Sequence, residues 1–201
     1  WTSEVSNGMK IFGIGQHELP LVVYSIVIEG GHMLDDPAKP GVARFTASML
    51  NEGTKNRTPE QLEEEIQLLG AVINIGCSDE RITVSVNTLA RNFEKTVALV
   101  EEMLLEPRWD EEQFSLNKTR TINNLKRNLA DPNYVAGAAF DRLVLGADNV
   151  LSVDLSGTVE SVEAITMDDL KAFYEKNISP SVASFLVVGD IDQARVEKAL
   201  A

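Results

Sequence analysis

The sequence predicts an α+β domain, with a mainly antiparallel sheet of about five strands and helices packed on one face. Three observations lead to this prediction. β-rich segments follow one another in pairs, helical segments cluster between these pairs, and the regular strand–helix alternation of a parallel α/β fold is absent. With 201 residues, 44% of them hydrophobic, the chain is long enough to bury a core as one domain.

Two β-rich segments open the chain. Met9–Ile14 follows a turn signal at Asn7-Gly8. Leu21–Glu29 is rich in β-branched residues and apolar enough to lie in the middle of a sheet. Because the two segments are adjacent in the chain, we expect them to pair antiparallel. The glycines and prolines of Gly30–Pro40 predict a loop after them.

Two helices are predicted next. The first begins at Pro40-Gly41 and ends near Asn51, just before Gly53. The second begins with a capping box, in which Thr58 is the N-cap and Gln61 stands three positions later.

The remaining segments complete the predicted order ββααββααααβα. Alternation predicts another antiparallel strand pair, and capping residues and helical periodicity predict four helices, a last strand and a final helix. The strands are 71–76, 81–88 and 182–188, the four helices are about 93–104, 110–129, 131–146 and 166–180, and the last helix follows Gly189-Asp190.

Charge and hydropathy exclude some classes of function. The chain carries 31 acidic and 18 basic residues, a net charge of −13, which is the reverse of a nucleic-acid-binding footprint. No apolar run reaches the length of about 18 residues that a membrane-spanning helix needs. Because the chain starts at Trp1 rather than Met, we expect its single domain, residues 1–201, to be a fragment of a longer multi-domain protein.

The residues most often used for catalysis are few and scattered. His17 and His32 lie fifteen positions apart in loops, without the i,i+4 spacing of a two-histidine metal site. Each is expected to be structural or exposed, with a chemical role as the alternative. Cys77 is the only cysteine, and a buried position in a strand is the expectation for it.

One segment resembles a known family. Residues 40–58 read PGVARFTASMLNEGTKNRT, which is similar to the motif helix G-x-A-H-F-x-E-H-M-L-x-x-G-T of insulinase/pitrilysin zinc peptidases, a family that includes mitochondrial processing peptidase. Similar words recur along nearly the whole chain. They are Leu69-Gly70-Ala71, Pro107, Asp131-Pro132 and Val187-Val188-Gly189-Asp190-Ile191. The resemblance implies one α+β domain of that family.

The positions that carry the chemistry of this family differ here. In H-x-x-E-H, two histidines one helical turn apart bind Zn²⁺, and the glutamate is the general base. The resemblance aligns Arg44 and Ser48 with these histidines, Ala47 with the glutamate, and Asn124 with the third ligand, a glutamate. We therefore expect no catalytic residue and no metal site in this chain, which alone is predicted to be inactive. Arg44 is the candidate for substrate binding.

The resemblance implies a function in an assembly. The first hypothesis is a non-catalytic domain that closes a peptide-binding chamber and assists proteolysis. Zinc is then expected in a catalytic homologous half, in the same chain or in a separate subunit, and the substrate is a peptide. The second hypothesis is a structural scaffold without a role in proteolysis, like the relatives in respiratory complexes. The third is an independent peptidase with relocated ligands. A bacterial envelope, a periplasm or a mitochondrion-like compartment would suit the resemblance, and the sequence does not choose among them.

Overall fold

A computed structural model of the chain describes residues 1–5 and 8–200. The turn predicted at Asn7-Gly8 therefore falls partly outside the described residues. Within them, no helix combines the length and the apolar character needed to cross a membrane.

The described residues form one sheet and a set of helices. The strands are β1 (Thr2–Glu4), β2 (Lys10–Gly15), β3 (Leu21–Glu29), β4 (Val72–Cys77), β5 (Arg81–Leu89) and β6 (Ala183–Gly189). The helices are α1 (Val42–Met49), α2 (Pro59–Leu68), α3 (Phe93–Leu105), α4 (Glu111–Asn128), α5 (Pro132–Leu145), α6 (Val159–Ala164), α7 (Met167–Asn177) and α8 (Gln193–Ala199). Short 3-10 turns lie at His32–Leu34, Ala90–Asn92, Val150–Ser152 and Pro180–Val182.

The predicted α+β class with a mainly antiparallel sheet is confirmed. The strands lie in the order β1-β2-β6-β3-β5-β4, and among these described strands only the β2–β6 pair is parallel. The expected pairing of the first two predicted strands is wrong, because β6 from the end of the chain lies between β2 and β3. Strand β1, which makes the sheet six-stranded, has only three residues and is too short to show an alternating pattern.

The two faces of the sheet differ in what covers them. On the helix side, Tyr24 stacks on Phe185 with ring centroids 5.1 Å apart and meets the edge of Phe93 at 5.6 Å. On the other side, a row of large apolar side chains stays partly exposed. They are Phe12, Ile14, Val23, Leu186 and Val188. The helices therefore bury one face, as predicted.

Two helices depart from the sequence expectation. Helix α6 was not predicted, because its six residues span less than two turns and are too few for a periodic signal. Helix α1 begins at Val42, since Gly41 is its N-cap with φ of 109°. A Cβ at Gly41 would lie 3.1 Å from the Ser156 carbonyl oxygen, so both the backbone conformation and this close approach favour glycine.

Candidate functional site

Helix α1 carries three of the four motif positions, and a buried carboxylate holds its start. The N-cap Gly41 has no side chain to accept hydrogen bonds, and Asp35 takes that role from outside the helix. Asp35 Oδ2 accepts from the Gly41 amide at 2.7 Å, and Asp35 Oδ1 accepts from the Ala43 amide at 2.7 Å. A negative charge at this end also complements the helix dipole.

His32 is completely buried and neutralises this carboxylate. Its Nδ1 lies 2.9 Å from Asp35 Oδ2, and its Nε2 lies 3.0 Å from the carbonyl oxygens of Val150 and Val153. Carbonyl oxygens only accept hydrogen bonds, so Nε2 carries a proton and donates it. Because a carboxylate also accepts, the geometry favours a second proton on Nδ1, which makes the imidazole positively charged. Burial by itself lowers the pKa of His32, but the hydrogen bond to Asp35 and the two carbonyl contacts outweigh burial, and the pKa is raised.

His32 is thus buried and bonded to Asp35 and to two carbonyl oxygens, and sequence reasoning missed these partners. The available signal was an acidic residue three positions later, Asp35, in the loop that leads to the predicted helix α1. His17, by contrast, is exposed and bonds Asp190 Oδ1 through Nδ1 at 2.7 Å. Neither histidine lies on α1 or α4, the helices that carry the motif positions.

The motif positions of α1 fall on different sides of the helix. Arg44 is exposed and Ser48 is half-exposed, one turn apart on the same side, whereas Ala47 is buried. No ion pair of Arg44 is found among residues 1–5 and 8–200.

Asn124 lies on α4, which packs against α1. The rings of Phe45 and Phe114 meet edge to face at 6.1 Å, and Asn117 Nδ2 donates to Glu52 Oε1 at 3.2 Å. Asn124 follows Asn117 by about two helical turns, is exposed, and accepts a hydrogen bond from the Arg127 guanidinium through Oδ1. No hydrogen bond joins it to the motif positions of α1 in the described part of the chain.

These four side chains do not fit a zinc ion. Zinc sites use thiolate, imidazole and carboxylate ligands, and the aligned positions offer a guanidinium, a methyl group, a hydroxyl and a carboxamide. Arg44 stays protonated and would place a positive charge beside the cation. Over the described residues, no group of three or more His, Cys, Asp and Glu side chains is arranged to hold a metal ion.

Cys77 is no better suited to chemistry. It is half-buried at the end of the edge strand β4, and burial raises the pKa of its thiol to about 12. Its Sγ donates to the Ser78 carbonyl oxygen at 3.3 Å. A thiol with such a pKa stays protonated near neutral pH and is a poor nucleophile.

The family follows from a match that covers most of the chain. The family model described as "Insulinase (Peptidase family M16)" matches residues 16–143. The chain belongs to this family. A second model, described as "Peptidase M16 inactive domain", matches residues 164–201 of this M16 chain, which contain the central strand β6.

Curated relatives of this M16 chain include proteins described as peptidases and as non-peptidases. An "Uncharacterized zinc protease" of Rickettsia bellii is 21% identical over 98% of the chain and 47% of the relative. A "Non-peptidase homolog YmxG" of Helicobacter pylori is 27% identical over 87% and 40%, respectively. "Cytochrome b-c1 complex subunit 1, mitochondrial" of Caenorhabditis elegans is 28% identical over 76% and 32%. The M16 chain spans less than half the length of these relatives.

Solved structures share the fold of this M16 chain. A peptidase M16 inactive domain from Pseudomonas fluorescens superposes with a TM-score of 0.94 at 23% identity, over 100% of this chain and 49% of that one. The periplasmic protease PqqL of Escherichia coli superposes with a TM-score of 0.86 at 20% identity, over 100% and 23%. The chain thus has an M16-type fold and lacks the H-x-x-E-H motif, in a family of zinc proteases.

Proposed function

We propose that this domain is the non-catalytic part of an insulinase/pitrilysin-like zinc metallopeptidase. It closes a peptide-binding chamber and assists proteolysis by a zinc-bearing homologous half, in the same chain or in another subunit. One observation supports the proposal: the chain belongs to the M16 family, and the family resemblance aligns Arg44, Ala47, Ser48 and Asn124 with the two histidines and two glutamates of its chemistry. Ala47 cannot accept a proton, so this domain alone lacks the general base.

Helix α5 supports the need for a partner. None of its 14 residues is buried, and Phe140 and Leu143 are 64% and 86% exposed. An isolated helix of this length is marginal in water, and most helices are stabilised by packing of their apolar face. Because relatives are more than twice as long as this chain, we propose that the homologous half covers α5.

We expect Leu143→Glu to weaken association with the zinc-bearing half about tenfold or more, because the variant places a charge in an apolar contact. The measurement is the dissociation constant of this domain and a coexpressed zinc-bearing M16 homologue from the same genome. Cleavage of a peptide library by the mixture should fall in parallel. Leu68→Glu is the matched control, since Leu68 is also a helical leucine, 74% exposed, on α2. Equal binding of both variants would contradict the assignment of α5.

Arg44 is the proposed substrate contact. Its exposed guanidinium, unpaired within the described residues, offers a two-pronged contact to a carboxylate of the peptide or of the partner. Arg44→Gln should therefore raise KM for acidic peptides by about tenfold and leave kcat within about twofold, as loss of uniform binding predicts. Arg91→Gln, another exposed arginine far along the chain, is the control. An unchanged KM for acidic peptides would show that Arg44 faces no substrate.

A structural scaffold is the second candidate function. The observation that favours it is the likeness to cytochrome b-c1 complex subunit 1, at 28% identity. Peptide cleavage by a mixture of this domain and its zinc-bearing homologue distinguishes the two candidate functions. A scaffold would bind the homologue without changing peptide cleavage, whereas the proposed chamber-closing domain increases cleavage above that of the homologue alone.

A further inference from the structure

The edge strand β4 is paired on its outer side by a side chain. Just beyond α1, the Asn51 carboxamide meets both backbone groups of Ile75. Asn51 Nδ2 donates to the Ile75 carbonyl oxygen at 2.9 Å, and Asn51 Oδ1 accepts from the Ile75 amide at 3.0 Å. Asn51 Nδ2 also donates to the Ala47 carbonyl oxygen at 2.9 Å, so the carboxamide is anchored to the helix that carries the degenerate motif.

The contact lies where another strand would pair. Within the described residues, β5 is the only strand that pairs with β4. Along an antiparallel strand, the backbone N–H and C=O groups of successive residues point alternately toward the neighbouring strand and away from it. Since Asn51 bonds both the N–H and the C=O of Ile75, these backbone groups point away from β5. By the same alternation, the backbone groups of Ile73 and Cys77 also point away from β5. Ile75 is the middle one of these three outward-facing residues. A strand edge without such a side chain is a template for an extended peptide.

We propose that Asn51 closes the edge of β4 to strand addition beside the degenerate motif. The carboxamide takes the hydrogen bonds that the central residue of an incoming strand would make, and a peptide could pair only after displacing it. The hydrogen bonds of Asn51 are sufficient to support the closed edge, independently of the proposed function. Its consequence rests on the proposed function: this domain forms a wall of the peptide chamber and does not hold the substrate as an added strand at β4.

Amide hydrogen exchange tests the closed edge. In the unaltered chain, the Ile75 amide should exchange about tenfold or more slowly than the Ile73 amide, which faces the same side without a partner within the described residues. In Asn51→Leu, which keeps the branched shape and the number of heavy atoms and removes both bonds to Ile75, the Ile75 amide should exchange at the Ile73 rate. Equal exchange at the two amides of the unaltered chain would overturn the proposal, even where the variant does not fold.

A second asparagine provides the matched control. Asn92 Nδ2 donates to the Leu69 carbonyl oxygen at 2.7 Å, away from the β4 edge. Asn92→Leu should leave the ratio of the exchange rates of the Ile75 amide and the Val84 amide of β5 unchanged.

A lysine-flanked peptide of alternating valine and threonine is the probe for strand addition. It should leave the Ile75 amide resonance of the unaltered chain unchanged. A shift of that resonance with slower exchange would show that strands add at β4. That result would leave the proposed assistance to a partner untouched, because cleavage by the mixture tests that separately.

Discussion

Replacing His32 with alanine is expected to lower the free energy of unfolding by about 3–5 kcal/mol, the range for breaking a buried ion pair from one side. The change leaves the buried carboxylate of Asp35 without its counter-charge. It also removes the donor to the carbonyl oxygens of Val150 and Val153, which ties the 150–152 turn to the start of α1. Such a loss is a large part of the total stability of a typical domain.

The same pair predicts how stability depends on pH. An ordinary histidine in the unfolded chain has a pKa near 6.5, and the pKa of folded His32 is higher. Below about pH 6.5 both states hold the proton, so the stabilisation is fully present. As the pH rises from there to the folded pKa, only the unfolded state has released its proton, and the stabilisation is progressively lost.

Urea unfolding of the unaltered chain and of two variants checks both expectations. His32→Gln has no ionisable group and should abolish the loss of stability above pH 6.5. His17→Ala is the control, because His17 is exposed, and it should change the free energy of unfolding by less than about 0.5 kcal/mol. A similar cost for His17→Ala and His32→Ala, or a stability that rises between pH 6.5 and 9, would show that the buried pair is misassigned.

Three substitutions are expected to create zinc binding. Arg44→His and Ser48→His place two imidazoles one turn apart on α1, and Asn124→Glu adds the carboxylate that the family alignment implies. The unaltered chain should retain well below one zinc per chain after dialysis against metal-free buffer, and the triple variant about one. Ala47 is left unchanged, because it is 1% exposed and a glutamate there would bury a charge in packed surroundings.

The double variant Arg44→His/Ser48→His is the matched control for this experiment. It holds two ligands, so elemental analysis should find less zinc in it than in the triple variant if Asn124 occupies the third position. We expect no peptide cleavage by either variant, since neither has the general base. About one tightly held zinc in the unaltered chain would contradict the donor-set argument and direct attention to His17, His32 and Cys77.

Local patterns were sufficient for most elements of this fold. The capping box of Thr58 and Gln61 forms as predicted, and the alternating segments become strands, because caps and alternation act over a few neighbouring residues. The cap Asp110 and helical periodicity predicted α4, and the family resemblance implied the four positions with altered chemistry, three of them on α1 and one on α4. These inferences need only residue type and spacing along the chain.

The tertiary structure decided what depends on distant segments. The insertion of β6 between β2 and β3, the ties from His32 to Val150 and Val153, and the contact of Asn51 with Ile75 all join residues far apart in the chain. Periodicity carries no information on which strands pair or which carbonyl a buried side chain meets. The sequence by itself determined that this M16 chain lacks the H-x-x-E-H motif. Only the folded chain shows how α1 is anchored and how the edge of β4 is covered, because these contacts exist only once the sheet and helices are packed.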